Sequence, residues 1–312
     1  MGKQLVSIII PVHSEAGNLA WHHQKISDVI TTLQPDFEII YVDDGSEDES
    51  LDAIKSLAKS DERVHYISFS RNFGKEAASS AGLSKCKGDA AVMIDADGQH
   101  PIDYLGEFLK KWQSGYQVVV GIRTANAKEG LVKKIGSKVF YKLLNAISDG
   151  ETIPRSTDFR LLDRLVIDEF NKLTERSRIT RGLVDWLGYR RTFIEFEAQA
   201  RHSGKATYGF NKLVKLALHA FVSQTTKPLR FIGFLGGLVT FISAIAGLFL
   251  LVEKYVFGDP LGLAVTGTAL LALFVSLLVG LVLISNWLLA LYVESIHNET
   301  QNRPLYIISE QG

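Results

Sequence analysis

Asp95-Ala-Asp-Gly-Gln-His-Pro places two carboxylates at alternate positions directly after the apolar run Ala90 to Ile94. Alternate residues just past a strand can both turn towards one ion. Two hard carboxylates suit Mg²⁺ or Mn²⁺, which keeps its other positions for water and phosphate oxygens. An ion on a diphosphate neutralises charge as that leaving group departs. Gln99 offers an amide oxygen to the same place, whereas His100, before a proline, reads as a loop residue. Alone, Asp-x-Asp is a frequent chance pattern, and Asp43-Asp-Gly-Ser can equally be a solvated turn. Their company argues otherwise: Pro11-Val-His-Ser-Glu, Asp43-Asp-Gly-Ser, Asp95-Ala-Asp and Gly121-Ile-Arg each follow an apolar run, and three of them carry carboxylates. Convergent polar loops of this kind are the pattern of a binding site. Arg123, with Arg201 and Lys205 farther along, supplies cations suited to pyrophosphate oxygens, although arginines are more often simply solvated. The sequence has no dense histidine and cysteine set for zinc.

These loops need elements to hold them. Val6 to Val12 is nearly continuously apolar and reads as a buried parallel strand, followed by a helical pattern from about Leu19 to Leu33. Phe37 to Asp43 repeats the strand, Ser50 to Ser60 the helix, and Val64 to Phe69, Ala90 to Ile94 and Gln117 to Gly121 supply further strands. Strands alternating with helices predict an α/β fold, a mostly parallel sheet covered on both faces. Ligands in such sheets sit at the carboxyl ends of the strands, which gathers the four polar loops on one edge.

Composition narrows the partners. The 34 basic and 34 acidic side chains of the 312-residue chain cancel, which argues against a nucleic-acid partner and leaves small anions open. Cys86, the single cysteine, cannot form an internal disulfide; it reads as a small structural residue in a reducing compartment. Leu5 to Val12 is too short and too β-branched for a signal peptide, so the N-terminus is expected in the cytoplasm.

Two segments read as leaving water. Leu229 to Val252 carries one charge, Arg230 at its leading edge, and Leu263 to Val293 carries none. Each is long enough for a ~30 Å hydrocarbon core, where buried helices of a soluble protein rarely run so far without a charge. Gly258, Asp259 and Pro260 are turn formers in a short connection, which predicts an antiparallel hairpin. Lys205, Lys212, Lys215, Lys227 and Arg230 crowd the approach, and Arg303 follows, so both ends are expected in the cytoplasm. Leu213, Leu216, Ala217, Ala220 and Phe221 share one helical face and Lys212, Lys215 and His219 another, the pattern of an interfacial helix or of one packed on the globular domain. The lysines of this stretch, with Lys227 and Arg230, would lie at headgroup level, suited to a lipid phosphate.

Ile9-Ile-Pro-Val, Val42-Asp-Asp-Gly-Ser, Arg71-Asn-Phe-Gly-Lys-Glu-Ala, Asp95-Ala-Asp-Gly-Gln-His-Pro, Thr157-Asp-Phe-Arg-Leu-Leu-Asp-Arg, Lys227-Pro-Leu-Arg and Arg303-Pro-Leu-Tyr, in this order, resemble glycosyltransferase family 2. Within it the chain is similar to the polyprenyl-phosphate glycosyltransferases, which include dolichol-phosphate mannose synthase and, closer, the bactoprenol glucosyltransferases. The resemblance implies a Rossmann-like GT-A catalytic domain over 1–208, an interfacial helix over 209–228, transmembrane helices over 229–252 and 263–293 joined by an extracytoplasmic loop over 253–262, and a cytoplasmic tail over 294–312. It implies that Pro11, Val12, Glu15 and Asp44 line the nucleotide pocket with Asp43 close by. It also implies that Asp95, Ala96, Arg123, Arg201 and Lys205 contact the nucleotide sugar, that Asp95, Asp97 and Gln99 hold Mg²⁺ or Mn²⁺, and that Asp158 is the carboxylate nearest the reaction centre.

Where the family often has Tyr-Asn-Glu this chain has His13-Ser14-Glu15, Gly204-Lys-Ala-Thr-Tyr stands for a Gly-Glu-Ser-Lys-Tyr motif, and Gly98 replaces a usual leucine, which is expected to loosen that loop. The expected reaction is inverting transfer of a hexose from a nucleotide sugar, UDP-glucose first, to undecaprenyl phosphate at the cytoplasmic membrane, by a homotetramer. GDP-mannose, UDP-galactose and UDP-N-acetylglucosamine remain open as donors. A non-catalytic, membrane-tethered nucleotide-sugar scaffold is the rival of another class. A polysaccharide synthase is disfavoured, since two spans are few for a channel and no Gln-x-x-Arg-Trp occurs.

Overall fold

A run such as Val6-Ser-Ile-Ile-Ile-Pro-Val can only be satisfied between two apolar layers. In the computed structural model, which describes residues 4–124, 155–176, 178–197 and 267–312 with isolated positions 238, 241, 242, 245, 252 and 256, it is strand β1, Leu5–Val12, near the centre of an eight-stranded sheet. The other strands are β2 Asp36–Asp43, β3 Val64–Phe69, β4 Ala90–Met93, β5 Val118–Arg123, β6 Ser156–Asp163, β7 Arg191–Phe196 and β8 Ile308–Gln311. Their order is β7-β5-β6-β4-β1-β2-β3-β8. β1 pairs in parallel with β2 and β4, β2 with β3, and β5 with β7; β6 runs antiparallel between β4 and β5.

Period-two alternation sends Val6, Ile8 and Ile10 to one face and Ile9 to the other. The first face packs under helices α1 (Ala16–Ile30), α2 (Ser50–Ser60) and α4 (Leu105–Gln113), through Leu19 and Ile26, Ile54, and Phe108 and Trp112 respectively. The second carries α3 (Lys75–Lys85), α5 (Arg164–Lys172) and α6 (Thr180–Trp186), through Ala78 and Ala81, Val166 and Phe170, and Val184. The expected α/β class and helices on both faces are present. The first helix begins at Ala16 and ends at Ile30, three residues earlier at each end than its apolar pattern suggested; Thr31, Thr32 and Leu33 form the turn after it.

The sheet's amino-terminal edge is held by a buried acid. Glu38 Oε1 accepts hydrogen bonds from Ser7 Oγ at 2.5 Å, Lys87 N at 2.6 Å and Gly88 N at 3.2 Å. Glu38→Ala leaves the Lys87 amide without its acceptor and strips one from the buried Gly88 amide, so a loss of about 2–4 kcal/mol is expected. Glu38 lies at the opposite end of the strands from the polar loops. Thermal unfolding should therefore shift down while activity per folded molecule holds, and a loss of activity without a loss of stability would refute this assignment.

The described residues fall into two units. One holds the sheet and residues 302–312; the other holds helix α7, Gly267–Thr300. β8 pairs antiparallel with β3 and covers an edge that would otherwise expose a row of backbone donors and acceptors. Tyr306 stacks on Phe69, with ring centroids 4.8 Å apart. The tail is thus part of the sheet. Of the expected hairpin, 229–266 lies outside the described residues apart from the isolated positions, and among those described no helix is long and apolar enough to cross a membrane. The described side chains of α7 are largely apolar and exposed. They include exposed Val279, Val282, Leu283, Ile284, Trp287, Leu289 and Val293. The helix continues to Thr300, past the boundary at 293 that its apolar stretch suggested.

Candidate active site

Strand order reverses direction at β1, with β2 on one side and β4 on the other, so the loops leaving these strands diverge and open a crevice. β6 contributes from the opposite direction. Because it is antiparallel and Arg160 lies opposite Met93, its first residues reach beyond the end of β4, where Asp95 follows. Asp158 therefore reaches the carboxyl edge from the start of a strand.

The loops lock onto one another. Asp43, buried, accepts from Ser68 Oγ at 2.8 Å and from the Ser46 amide at 3.1 Å, turning the Asp-Asp-Gly-Ser loop. Asp44 Oδ1 accepts from the Phe73 amide at 2.7 Å, and Asp44 Oδ2 from the Gly74 amide at 2.9 Å. Burial raises the Asp44 carboxyl, and these amides act against the rise. Gly45 has φ +62°, and a Cβ there would stand 2.3 Å from the Arg71 backbone carbon, so only glycine lets the two loops touch. His13 Nδ1 lies 3.1 Å from the Asp44 carbonyl, which only accepts; the proton is therefore on Nδ1, and Nε2 accepts from Asn72 Nδ2 at 3.0 Å. His13 thereby ties three loops together.

The loop after β4 carries the acids. Asp97 Oδ1 accepts from the Gln99 amide at 3.0 Å, closing a tight turn. Gly98 has φ +74°, and a Cβ there would come within 2.6 Å of the Trp21 ring. The glycine therefore lets the loop pack on Trp21, which corrects the expectation that it loosens it. Gln99 Oε1 accepts from Arg123 Nη2 at 2.9 Å, and the buried Nε of Arg123 has no partner among the described residues. His100 is more than a loop residue: it is buried, stacked on Phe159 at 5.2 Å, and its Nδ1 accepts from the Asp95 amide at 3.1 Å. Burial holds it below the usual histidine range and therefore neutral.

Lys75, the first residue of α3, joins Asp95 to Asp158. Its ammonium is 2.6 Å from Asp95 Oδ1 and 2.8 Å from Asp158 Oδ2. Desolvation opposes the charge, but Asp95 and Asp158 outweigh it and raise Lys75 above the ordinary lysine value. Arg181 approaches Asp158 Oδ1 at 3.7 Å. Burial alone would raise Asp158; Lys75 and Arg181 hold it at about 2.

Among the described residues no three His, Cys, Asp or Glu side chains form a metal cage. Of the expected site residues, Asp43, Asp44, Asp95, Asp97, Gln99, Arg123 and Asp158 lie in or beside these loops. Glu15 is partly buried and accepts from Asn18 Nδ2, Pro11 is partly buried, and Val12 and Ala96 are buried. Arg201, Lys205, Lys212, Lys215, Lys227 and Arg230 lie outside the described residues. Lys75 closes the Arg71-Asn-Phe-Gly-Lys stretch, and its place at the mouth of α3 was the available signal for it. Arg181 had none.

The glycosyl transferase family 2 model matches residues 7–170, the span that contains this crevice. The chain belongs to that family. It is 35% identical to an uncharacterized glycosyltransferase of Synechocystis over 98% of this chain and 95% of that one. It is 34% identical to a prophage-derived bactoprenol glucosyl transferase of Shigella flexneri, over 98% and 97%. In fold it is similar to mannosyl-3-phosphoglycerate synthase of Rubrobacter xylanophilus, with a TM-score of 0.51 and 18% identity over 74% of this chain and 75% of that one. The fold is GT-A and the protein is a transferase.

In this glycosyltransferase Asp158 is braced from behind. Arg160, fully buried on the same face of β6, donates to the Thr157 carbonyl at 3.1 Å and to Asp185 at 3.1 Å. On the opposite face Thr157 Oγ1 donates to the Gly121 carbonyl at 2.9 Å, pinning β6 to β5. The carboxylate is thereby held on a rigid strand rather than a loop.

Proposed function

We propose that this glycosyltransferase transfers a hexose, glucose first, from UDP-glucose to a polyprenyl phosphate such as undecaprenyl phosphate, with inversion, at the cytoplasmic face of the membrane. The observation that carries the reading is the juxtaposition of Asp95, Lys75 and Asp158 at the mouth of the crevice. Near-full-length similarity to a protein named bactoprenol glucosyl transferase supports the lipid acceptor.

Mg²⁺ or Mn²⁺ fits the residues present: Asp95 and Asp97 offer hard oxygens without a closed cage, and Asp95 already draws a cation, the Lys75 ammonium. Asp95 and Asp97 would hold the ion, with Gln99 beside them, and the bound ion would neutralise the departing diphosphate. Arg123, tethered by Gln99, keeps a buried donor for a phosphate oxygen, and Arg201 and Lys205 are further contacts in this proposal. Pro11, Val12, Glu15, Asp43, Asp44 and Ala96 shape the nucleotide side. The acceptor phosphate is already ionised near neutral pH, so the site needs little general-base help. Asp158, held ionised, instead faces the positive charge that develops at the anomeric carbon.

The apolar, exposed side chains of α7 support a hairpin of membrane helices that keeps the enzyme at the bilayer, where Lys212, Lys215, Lys227 and Arg230 would meet the lipid phosphate. A homotetramer is part of the same proposal. The test is to incubate the full chain in detergent with Mg²⁺, undecaprenyl phosphate and each of UDP-glucose, UDP-galactose, UDP-N-acetylglucosamine and GDP-mannose, and to identify the glycolipid by mass spectrometry. Glucosyl phosphoryl undecaprenol from UDP-glucose is expected. A product only from GDP-mannose would reassign the donor, and nucleotide binding without any glycolipid would favour the scaffold.

A further inference from the structure

One oxygen of Asp95 is held by a protein donor, and a second donor stands near the other. Oδ1 lies 2.6 Å from the Lys75 ammonium. His100 Nδ1 accepts a hydrogen bond from the Asp95 amide, so its own proton sits on Nε2, which stands 3.8 Å from Oδ2, beyond hydrogen-bond reach. Lys75 has a second anchor in Asp158 at 2.8 Å, and its side chain is 43% exposed, so an ammonium released from Asp95 keeps a partner. A divalent ion on Asp95 would stand beside that ammonium, cation against cation, in a partly dry crevice where such repulsion is strong.

We propose that Lys75 is a resident counter-ion of the metal-free enzyme, which joins Asp95 to Asp158 and must release Asp95 before a divalent metal binds; this rests on the metal reading proposed above. A diphosphate arriving with the metal offers anionic oxygens to both cations, so the displaced ammonium keeps Asp158 and gains a phosphate partner. Metal alone meets the competitor without that compensation. Nucleotide and metal should therefore bind with strong positive coupling, set largely by one lysine.

The experiment titrates Mn²⁺ into the detergent-solubilised full chain, with free Mn²⁺ followed by electron paramagnetic resonance, in the absence and presence of UDP. Removing the competitor raises the fraction of binding-competent site, so Lys75→Met is expected to tighten Mn²⁺ alone by roughly tenfold or more and to shrink the further gain given by UDP. Lys75→Arg, which keeps the charge, should bind Mn²⁺ as the wild type does. Lys75→Gln, neutral but still a donor, repeats the measurement with milder packing change, and thermal unfolding without metal identifies any variant that has not folded. Mn²⁺ bound no more tightly by Lys75→Met and Lys75→Gln than by wild type overturns the proposal while leaving the metal reading intact. If neither wild type nor variants bind Mn²⁺, with or without UDP, the metal reading itself falls and the proposal goes with it.

Discussion

Asp158→Asn is expected to lower kcat by about a thousandfold, the scale of a group that meets transition-state charge, while UDP binding stays within about twofold of wild type. The substitution is nearly isosteric, and its amide oxygen can still accept from Lys75, which now donates at 2.8 Å. The strand and its braces through Thr157 and Arg160 are untouched. In the proposed reaction, what disappears is one negative charge opposite a carbon that becomes positive as its leaving group departs. Single-turnover transfer with equilibrium binding of UDP separates the two effects. Wild-type turnover would remove Asp158 from the reaction centre, and an equal loss of binding would make it a donor contact.

The pH profile decides what kind of help Asp158 gives. Its folded pKa, about 2, lies below the ordinary value of 3.8. A carboxyl depressed in this way contributes stability that is present above pH 3.8 and is lost as the pH falls through about 2. Between about pH 5 and 8 the group stays ionised, and so weak a base takes little part in proton transfer at neutrality. The defect of Asp158→Asn should therefore be the same size across that range, with wild-type and variant profiles parallel. A defect that vanishes at the acidic end would mean that the carboxylate works as a titrating base.

β1, β2, β3 and β4 were legible because each reads as a largely apolar run between polar loops. The span Val64–Phe69 was expected to the residue. β6 was visible only as a motif, since Thr157-Asp-Phe-Arg-Leu-Leu-Asp alternates charged and apolar residues and nothing local states that it runs antiparallel between β4 and β5. β8 was hidden for a different reason: Ile308 to Gln311 is short and polar, and becomes a strand because β3 offers an edge. Asp95 and Asp97 were legible from spacing. Lys75 was not, because its role depends on β6 bringing Asp158 to the end of β4, a contact 83 residues away in sequence.

Asp97→Asn is the second change expected to act strongly, and its value lies in what it keeps. Asp97 Oδ1 accepts the Gln99 amide at 3.0 Å, and an asparagine oxygen can do the same, so the turn at Gly98 and its packing on Trp21 should survive. Only the charge is lost. Nearby His22 adds no opposing charge in either form: burial outweighs the pull of Asp97 and Asp95, holds the imidazole at about 4, and leaves it neutral at pH 7. If Asp97 holds the metal, Mn²⁺-dependent UDP binding should weaken by at least about a hundredfold, and turnover with it. Binding of UDP measured with a chelator present should be the same in variant and wild type, because the substitution removes only the metal's share. Asp95→Asn completes the contrast, since it removes a proposed metal ligand and one anchor of Lys75 together. Were Asp97→Asn to bind UDP and Mn²⁺ as the wild type does while Asp95→Asn did not, Asp95 alone would hold the ion and Asp97 would be the residue that turns the loop.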